Sequence, residues 1–282
     1  MTPRWVVYEE PAGGGGGGPW DPSQLSTLSG WWDASDSSTL FDATSGGSTP
    51  THGTNVKRWE DKSGNGHHAL QADNAGPKLQ VTSNTLNSSS VVRFTRITNQ
   101  LTTNMLEVAA SSDFAPDLLS CMTVVRSTSN PGNSGVLGMW NPPTGANYWF
   151  LIHRLPTSLN VIGLRNSSDT ANHQSPATTP AVDDNDPHLF GGSMNTGGNL
   201  GCFIDGSAGP TASQPDNKSG SNTLRIGAYG NDATGFDGDI AEVVIWRSVS
   251  TADREKIEGY LAHKWGLTAN LPSSHPYKSS AP

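Results

Sequence analysis

The chain has 282 residues, a formal charge of −8, and only 15% charged against 33% apolar residues. The acidic balance argues against binding a phosphate backbone, and no apolar stretch reaches the roughly 20 residues of a membrane helix. Gly (32), Pro (19) and abundant Ser, Thr and Asn separate short apolar runs, a pattern of turns between strands.

Residues 1–20 form an N-terminal arm, and residues 21–282 a single domain. Trp5, Val6, Val7 and Tyr8 make one short strand-like segment, followed by six glycines, Gly13 to Gly18. Poly-Gly has no side chain to bury and behaves as a flexible linker. The arm therefore reads as an attachment element that places Trp5–Tyr8 on a partner chain. The start, Met1-Thr2-Pro3-Arg4-Trp5, lacks the apolar core of a secretory signal, which implies synthesis in a host cytoplasm.

Strands are expected at Leu28–Ala34, Val56–Trp59, Ser90–Phe94 and Cys121–Ser127. Val136–Trp140 and Tyr148–Ile152 flank a Pro-Gly loop as a long hairpin. Leu159–Leu164 follows, then His188–Met194 paired with Gly201–Ile204, a tight turn at Asp205-Gly206, Leu224–Gly227, and a closing strand Gly238–Trp246. One helix is expected over Thr251–Trp265. Ser250 is a suitable N-cap with Asp253 three residues on, and Gly266 is the stop. Ile257, Tyr260, Leu261 and Trp265 share its apolar face. Cys121 and Cys202 both sit in apolar runs as small buried hydrophobes; a disulfide between them stays open at this level.

Three segments carry a family resemblance. Trp59-Glu60-Asp61-Lys62-Ser63-Gly64-Asn65-Gly66-His67-His68-Ala69 resembles the W-x-D-x-S-G-N-G-x-x-A stretch of laminin-G-like domains, with Val91-Val92-Arg93-Phe94 as the strand after it. Phe236 to Trp246, with Ser250 to Asp253, resembles their closing strand and helix entry. Gly259 to Leu267, with Leu271-Pro272 and His275-Pro276-Tyr277, is similar to a variant met in phage and environmental bacterial proteins. The resemblance to the laminin-G/concanavalin A-like group implies an all-β, two-sheet antiparallel jelly roll, with roles in adhesion or glycan binding. Fold alone leaves function open.

The same group contains glycoside hydrolases, so paired carboxylates matter. Asp237-Gly238-Asp239-Ile240-Ala241-Glu242 approaches the E-x-D-x-x-E strand of concanavalin-like glucanases. On a regular strand Asp239 and Glu242 point to opposite faces, and only a bulge would bring Glu242 round. With Asp at the nucleophile position as well, the expectation is no enzyme. No zinc spacing, nucleophile elbow or phosphate loop is present. The only candidate cofactor is a loop calcium at Asp205, Asp232, Asp237 and Asp239, with Asn231 nearby. Trp140, Tyr148 and Trp149 are candidate glycan platforms, set against a reading as core aromatics.

The expected function is a non-enzymatic phage virion structural or adhesion protein, of decoration or fibre type, at the virion surface. It would dock other virion proteins through residues 1–18, touch host glycans and form a homo-oligomer. The alternatives are a secreted or cell-surface bacterial glycan-binding module and a concanavalin-like glycoside hydrolase.

Overall fold

The computed structural model describes residues 19–71, 76–81, 85–96, 104–115, 117–127, 134–139, 148–154, 161–165, 173–174, 182, 184–195, 197–213, 223–229 and 235–282. The segment Trp5–Tyr8, Trp140 and Asp232 lie outside them.

In chain order the strands are β1 (Leu28–Asp33), β2 (Leu40–Phe41), β3 (Arg58–Trp59), β4 (Ala69–Leu70), β5 (Lys78–Gln80) and β6 (Val91–Phe94). They continue with β7 (Leu106–Val108), β8 (Leu118–Ser127), β9 (Ser134–Gly138), β10 (Tyr148–Arg154), β11 (Val161–Arg165) and β12 (His173–Gln174). Last come β13 (Pro187–Asn195), β14 (Asn199–Ile204), β15 (Ser207–Ser213), β16 (Leu224–Ile226), β17 (Gly238–Trp246) and the helix α1 (Thr251–Trp265).

Two antiparallel sheets result. The first runs β15-β14-β13-β8-β17-β6-β5, with β1 also paired to β17; the second runs β12-β11-β10-β9-β16-β7-β4-β3-β2. The strands β8 and β17 alternate side chains between two apolar layers. Leu119, Cys121, Val125, Ile240, Val243 and Ile245 face the second sheet, in the core between the sheets. Met122, Val124, Ala241, Val244 and Trp246 face outward and are covered by α1 through Ile257, Leu261 and Trp265. The ten residues of β8 are buried apart from its two most accessible members, Leu118 and Arg126.

The helix ends as the residues demand. Ser250 accepts a hydrogen bond from the Asp253 amide, while the Asp253 carboxylate accepts from Ser248 Oγ (2.8 Å). Gly266 adopts φ 74° at the C-terminus, where a Cβ is strained, and the Leu267 amide closes back on the Ala262 carbonyl. At the β14–β15 hairpin, Asp205 (φ 49°) and Gly206 (φ 78°) make the tight turn with both residues left-handed. Cys121 and Cys202 are free and buried. Each is the cross-strand partner of Gly192, on opposite sides of β13. Two strand spacings, about 10 Å, separate them, well beyond disulfide reach. Burial pushes the Cys121 thiol up to about 12. Among the described residues no helix is long and apolar enough to cross a membrane.

Candidate functional site

A pocket of about 420 Å³ opens on the outer side of the first sheet, where β1, the loop after β3, and α1 meet. Its walls include Trp20, Asp21, Trp31, Lys62, Tyr260 and Lys264. The volume falls within the roughly 300–1,000 Å³ usual for ligand sites.

Each wall residue is placed by a local cause. In the Trp31-Trp32 pair, alternation on β1 sends Trp32 into the inter-sheet core and leaves Trp31 on the outer face. The loop bearing Lys62 is braced by Asp61. Its Oδ1 accepts from the amides of Trp31 and Ser63 (both 2.9 Å), and its Oδ2 from the His67 amide (3.0 Å). Asn65 Nδ2 donates to the carbonyls of Leu28 and Ser29, and the Lys62 amide donates to Trp31 O. The D-x-S-G-N-G stretch is thus a clasp on β1 that delivers Lys62 to the pocket. Tyr260 and Lys264 lie four residues apart on α1, so they share a face. Asp21 caps a single 3-10 turn, Pro22–Gln24, by accepting from the Ser23 amide (2.8 Å). Trp20 packs edge-on against Tyr260 at 6.1 Å between ring centroids, and Trp31 does so from the other side at 6.3 Å.

Beneath these aromatics runs a buried ion network. Asp33 Oδ2 accepts from Lys62 Nζ (3.0 Å) and Lys264 Nζ (2.7 Å), and Lys62 also reaches Asp36 (2.9 Å). Glu242 is fully buried. Its Oε1 accepts from Trp31 Nε1 (2.7 Å) and the Tyr260 hydroxyl (3.0 Å), its Oε2 from Trp265 Nε1 and Lys264 Nζ (both 2.7 Å). Burial by itself raises the Asp33 carboxyl, but Lys264, Ser35 and Lys62 outweigh it and hold the group below its usual range. For Glu242, burial and the nearby Asp33 charge push the carboxyl above its usual range despite Lys264 and Trp265. Burial opposes the charge on Lys62, yet Asp36 and Asp33 keep its pKa raised. Burial and the charge of Glu242 raise the Tyr260 phenol, which stays protonated and donates.

Glu242 corrects one expectation. Opposite Val125 and Val124 the strand β17 carries one extra residue, Ala241, between Ile240 and Glu242. This bulge turns Glu242 onto the outer face that Asp239 also occupies, where regular alternation would send it inward. The two carboxylates are nevertheless held apart by their partners. Asp239, fully buried, takes Arg93 through both oxygens (2.7 Å each) and Arg126 as well. Glu242 is sealed under α1. Neither stands in an open cleft as a hydrolytic pair requires.

The remaining sequence candidates fall elsewhere. Tyr148 and Trp149 lie on β10, paired with Arg165 and Leu164 in the second sheet, away from the pocket. Asp205 Oδ2 meets His188 Nδ1 (2.6 Å) and its Oδ1 accepts the Leu189 amide. Asp237 is half-buried at the entry to β17. Asp205 and Asp239 stand in separate networks, and among the described residues no group of three His, Cys, Asp or Glu side chains could hold a metal. Sequence reasoning passed over Trp20, Lys62 and Lys264. The available signals were the Trp31-Trp32 doublet, which must turn one indole outward, and the Tyr260/Lys264 spacing at the edge of an apolar helix face.

No protein-family model matches the chain, and no curated protein matches it in sequence. Solved structures do match in fold. Domain 4 of a GH43 extracellular arabinanase from Geobacillus stearothermophilus, in complex with arabinotriose, superposes with a TM-score of 0.57 at 10% identity. The match covers 80% of this chain and 95% of that one. The chain is a jelly-roll sandwich. The binding domain of Paraclostridial Mosquitocidal Protein 1 gives 0.54 at 11% identity over 74% of this chain and 51% of that one. The binding domain of botulinum neurotoxin serotype G gives 0.50 at 12% over 82% and 50%. The jelly roll thus spans about half the length of these toxin domains.

Proposed function

We propose that the jelly roll is a non-enzymatic carbohydrate-binding module, and that the pocket between Trp20, Trp31, Lys62 and α1 is its ligand site. The observation that carries this reading is the pocket's make-up: the half-exposed rings of Trp20 and Tyr260, backed by the buried Trp31, beside fixed charged groups, the combination that takes the apolar face and the hydroxyls of a sugar. Its resemblance in fold to a domain solved with arabinotriose supports the same class of ligand. The test is a glycan screen on the full chain, followed by calorimetry with Trp20→Ala. Loss of roughly tenfold or more in affinity is expected on removing one stacking face. Binding that is indifferent to Trp20→Ala moves the site elsewhere.

The finer reading is an adhesion or decoration protein of a phage particle. It is supported by the resemblance of Gly259 to Leu267, with Leu271-Pro272 and His275-Pro276-Tyr277, to a variant met in phage and environmental bacterial proteins, and by the arm of residues 1–18. Trp5, Val6, Val7 and Tyr8 would add to a partner's sheet edge, and the six glycines give a reach of at most about 20 Å. Deleting residues 1–18 should abolish incorporation into particles and leave the melting temperature unchanged. Assembly of the truncated chain would refute attachment by the arm.

A further inference from the structure

Resting on the reading of the pocket as a sugar site, we infer that it takes uncharged sugars and discriminates against acidic ones. The inference comes from the charged groups on its wall and the carboxylates bonded to them. Two ammonium groups, Lys62 and Lys264, face four carboxylates: Asp21 on the wall, and Asp33, Asp36 and Glu242 bonded to the lysines. Protonating Glu242 still leaves three carboxylates against two cations.

The lysines are also engaged. Lys264 Nζ meets Asp33 (2.7 Å), Glu242 (2.7 Å) and the Tyr260 oxygen (3.1 Å), which uses its three N–H groups. Lys62 Nζ meets Asp33 and Asp36 and lies 4.5 Å from the Trp31 ring centroid. Neither offers the paired free donors with which a carboxylate or sulfate is held. The other titratable wall group, His263, directs Nε2 to the Tyr277 carbonyl (2.9 Å). Asp21, by contrast, lines the cavity and takes both of its Ser23 bonds on Oδ1. An acceptor of this kind suits a sugar hydroxyl, which brings its own proton, and repels an anion.

The test uses paired probes of equal length, such as galacturonate oligomers and the corresponding neutral galactose oligomers, titrated into the full chain. Neutral oligomers should bind at least about tenfold more tightly at low salt, and the difference should shrink as ionic strength rises. In Asp36→Asn the neutral-to-acidic ratio should narrow. If acidic oligomers bind as well or better, and Trp20→Ala weakens them, the site stands and the charge selectivity is wrong. If binding of both members ignores Trp20→Ala, or if no oligosaccharide of either kind binds, the sugar site itself falls and the selectivity with it.

Discussion

Glu242 gathers four donors from two elements: an indole of β1, and an indole, a phenol and an ammonium of α1. Truncation to alanine would take an acceptor from all four, and the two indoles, Trp31 and Trp265, are buried. Glu242→Ala should therefore lose about 3–5 kcal/mol in urea denaturation, the range for breaking a buried charged network. Glu242→Gln, which keeps an acceptor oxygen, should lose less. His188 gives a second measurable effect. It is buried between Asp205 (2.6 Å) and the more exposed Asp184 (3.1 Å). Burial disfavours the imidazolium, but the two carboxylates outweigh it and raise the group from 6.5 to about 8. A folded value above the unfolded one means that the charged pair stabilises fully below pH ~6.5 and loses its effect as pH rises through ~8. The unfolding free energy from urea titrations should fall across that window by about 2 kcal/mol or less, and His188→Gln should flatten the profile. Asp205 and Asp239 are already engaged by His188 and by two arginines. Millimolar calcium should accordingly leave the melting temperature unmoved if those residues dominate the candidate calcium set.

At the scale of elements, α1 was fully legible. Its cap, its stop and its apolar spacing coincide over Thr251–Trp265, because local chemistry alone defines each of them. Leu261, fully buried, should cost about 2–5 kcal/mol on truncation to alanine. Gly259 behaves against helix propensity. A Cβ there would come within 2.4 Å of Tyr277 Cβ, so Gly259→Ala should destabilise the fold even though alanine gains about 1 kcal/mol in an open helix. Limited proteolysis should then cut the tail after Leu271. Long strands with apolar runs, such as β8, β13 and β17, were also readable. The two- and three-residue strands β2, β4, β5, β7 and β12 carry too few side chains to show a period. β15, Ser207–Ser213, is a largely exposed edge with Pro210 inside it, so no hydrophobic signal marks it. The pocket was less legible than the sheets. It draws on residues 20, 31, 62, 260 and 264, and nothing local in the chain says that these meet.

Across the whole molecule, β17 belongs to both apolar layers, contributing Ile240, Val243 and Ile245 to the core between the sheets and Ala241, Val244 and Trp246 to the layer under α1. The helix cannot leave without exposing the back of the central sheet. Heat or urea should thus unfold the domain in one transition, with tryptophan fluorescence and far-ultraviolet dichroism coincident. Separated transitions would show that the helix layer melts independently.

The extra residue at Ala241 marks a point where this strand can shorten. Dropping its codon sets Ile240 directly beside Glu242, opposite the adjacent Val125 and Val124, and every flanking side chain keeps its face. What is lost is the Ala241 methyl under α1 and the bond its carbonyl accepts from the Ala34 amide (2.9 Å). Loss of Val243, by contrast, would straighten the strand with the carboxylate of Glu242 turned between the sheets, where charge is buried in hydrocarbon. Among descendants of such a sequence, length should be held loosely at Ala241 and strictly in the stretch that follows it.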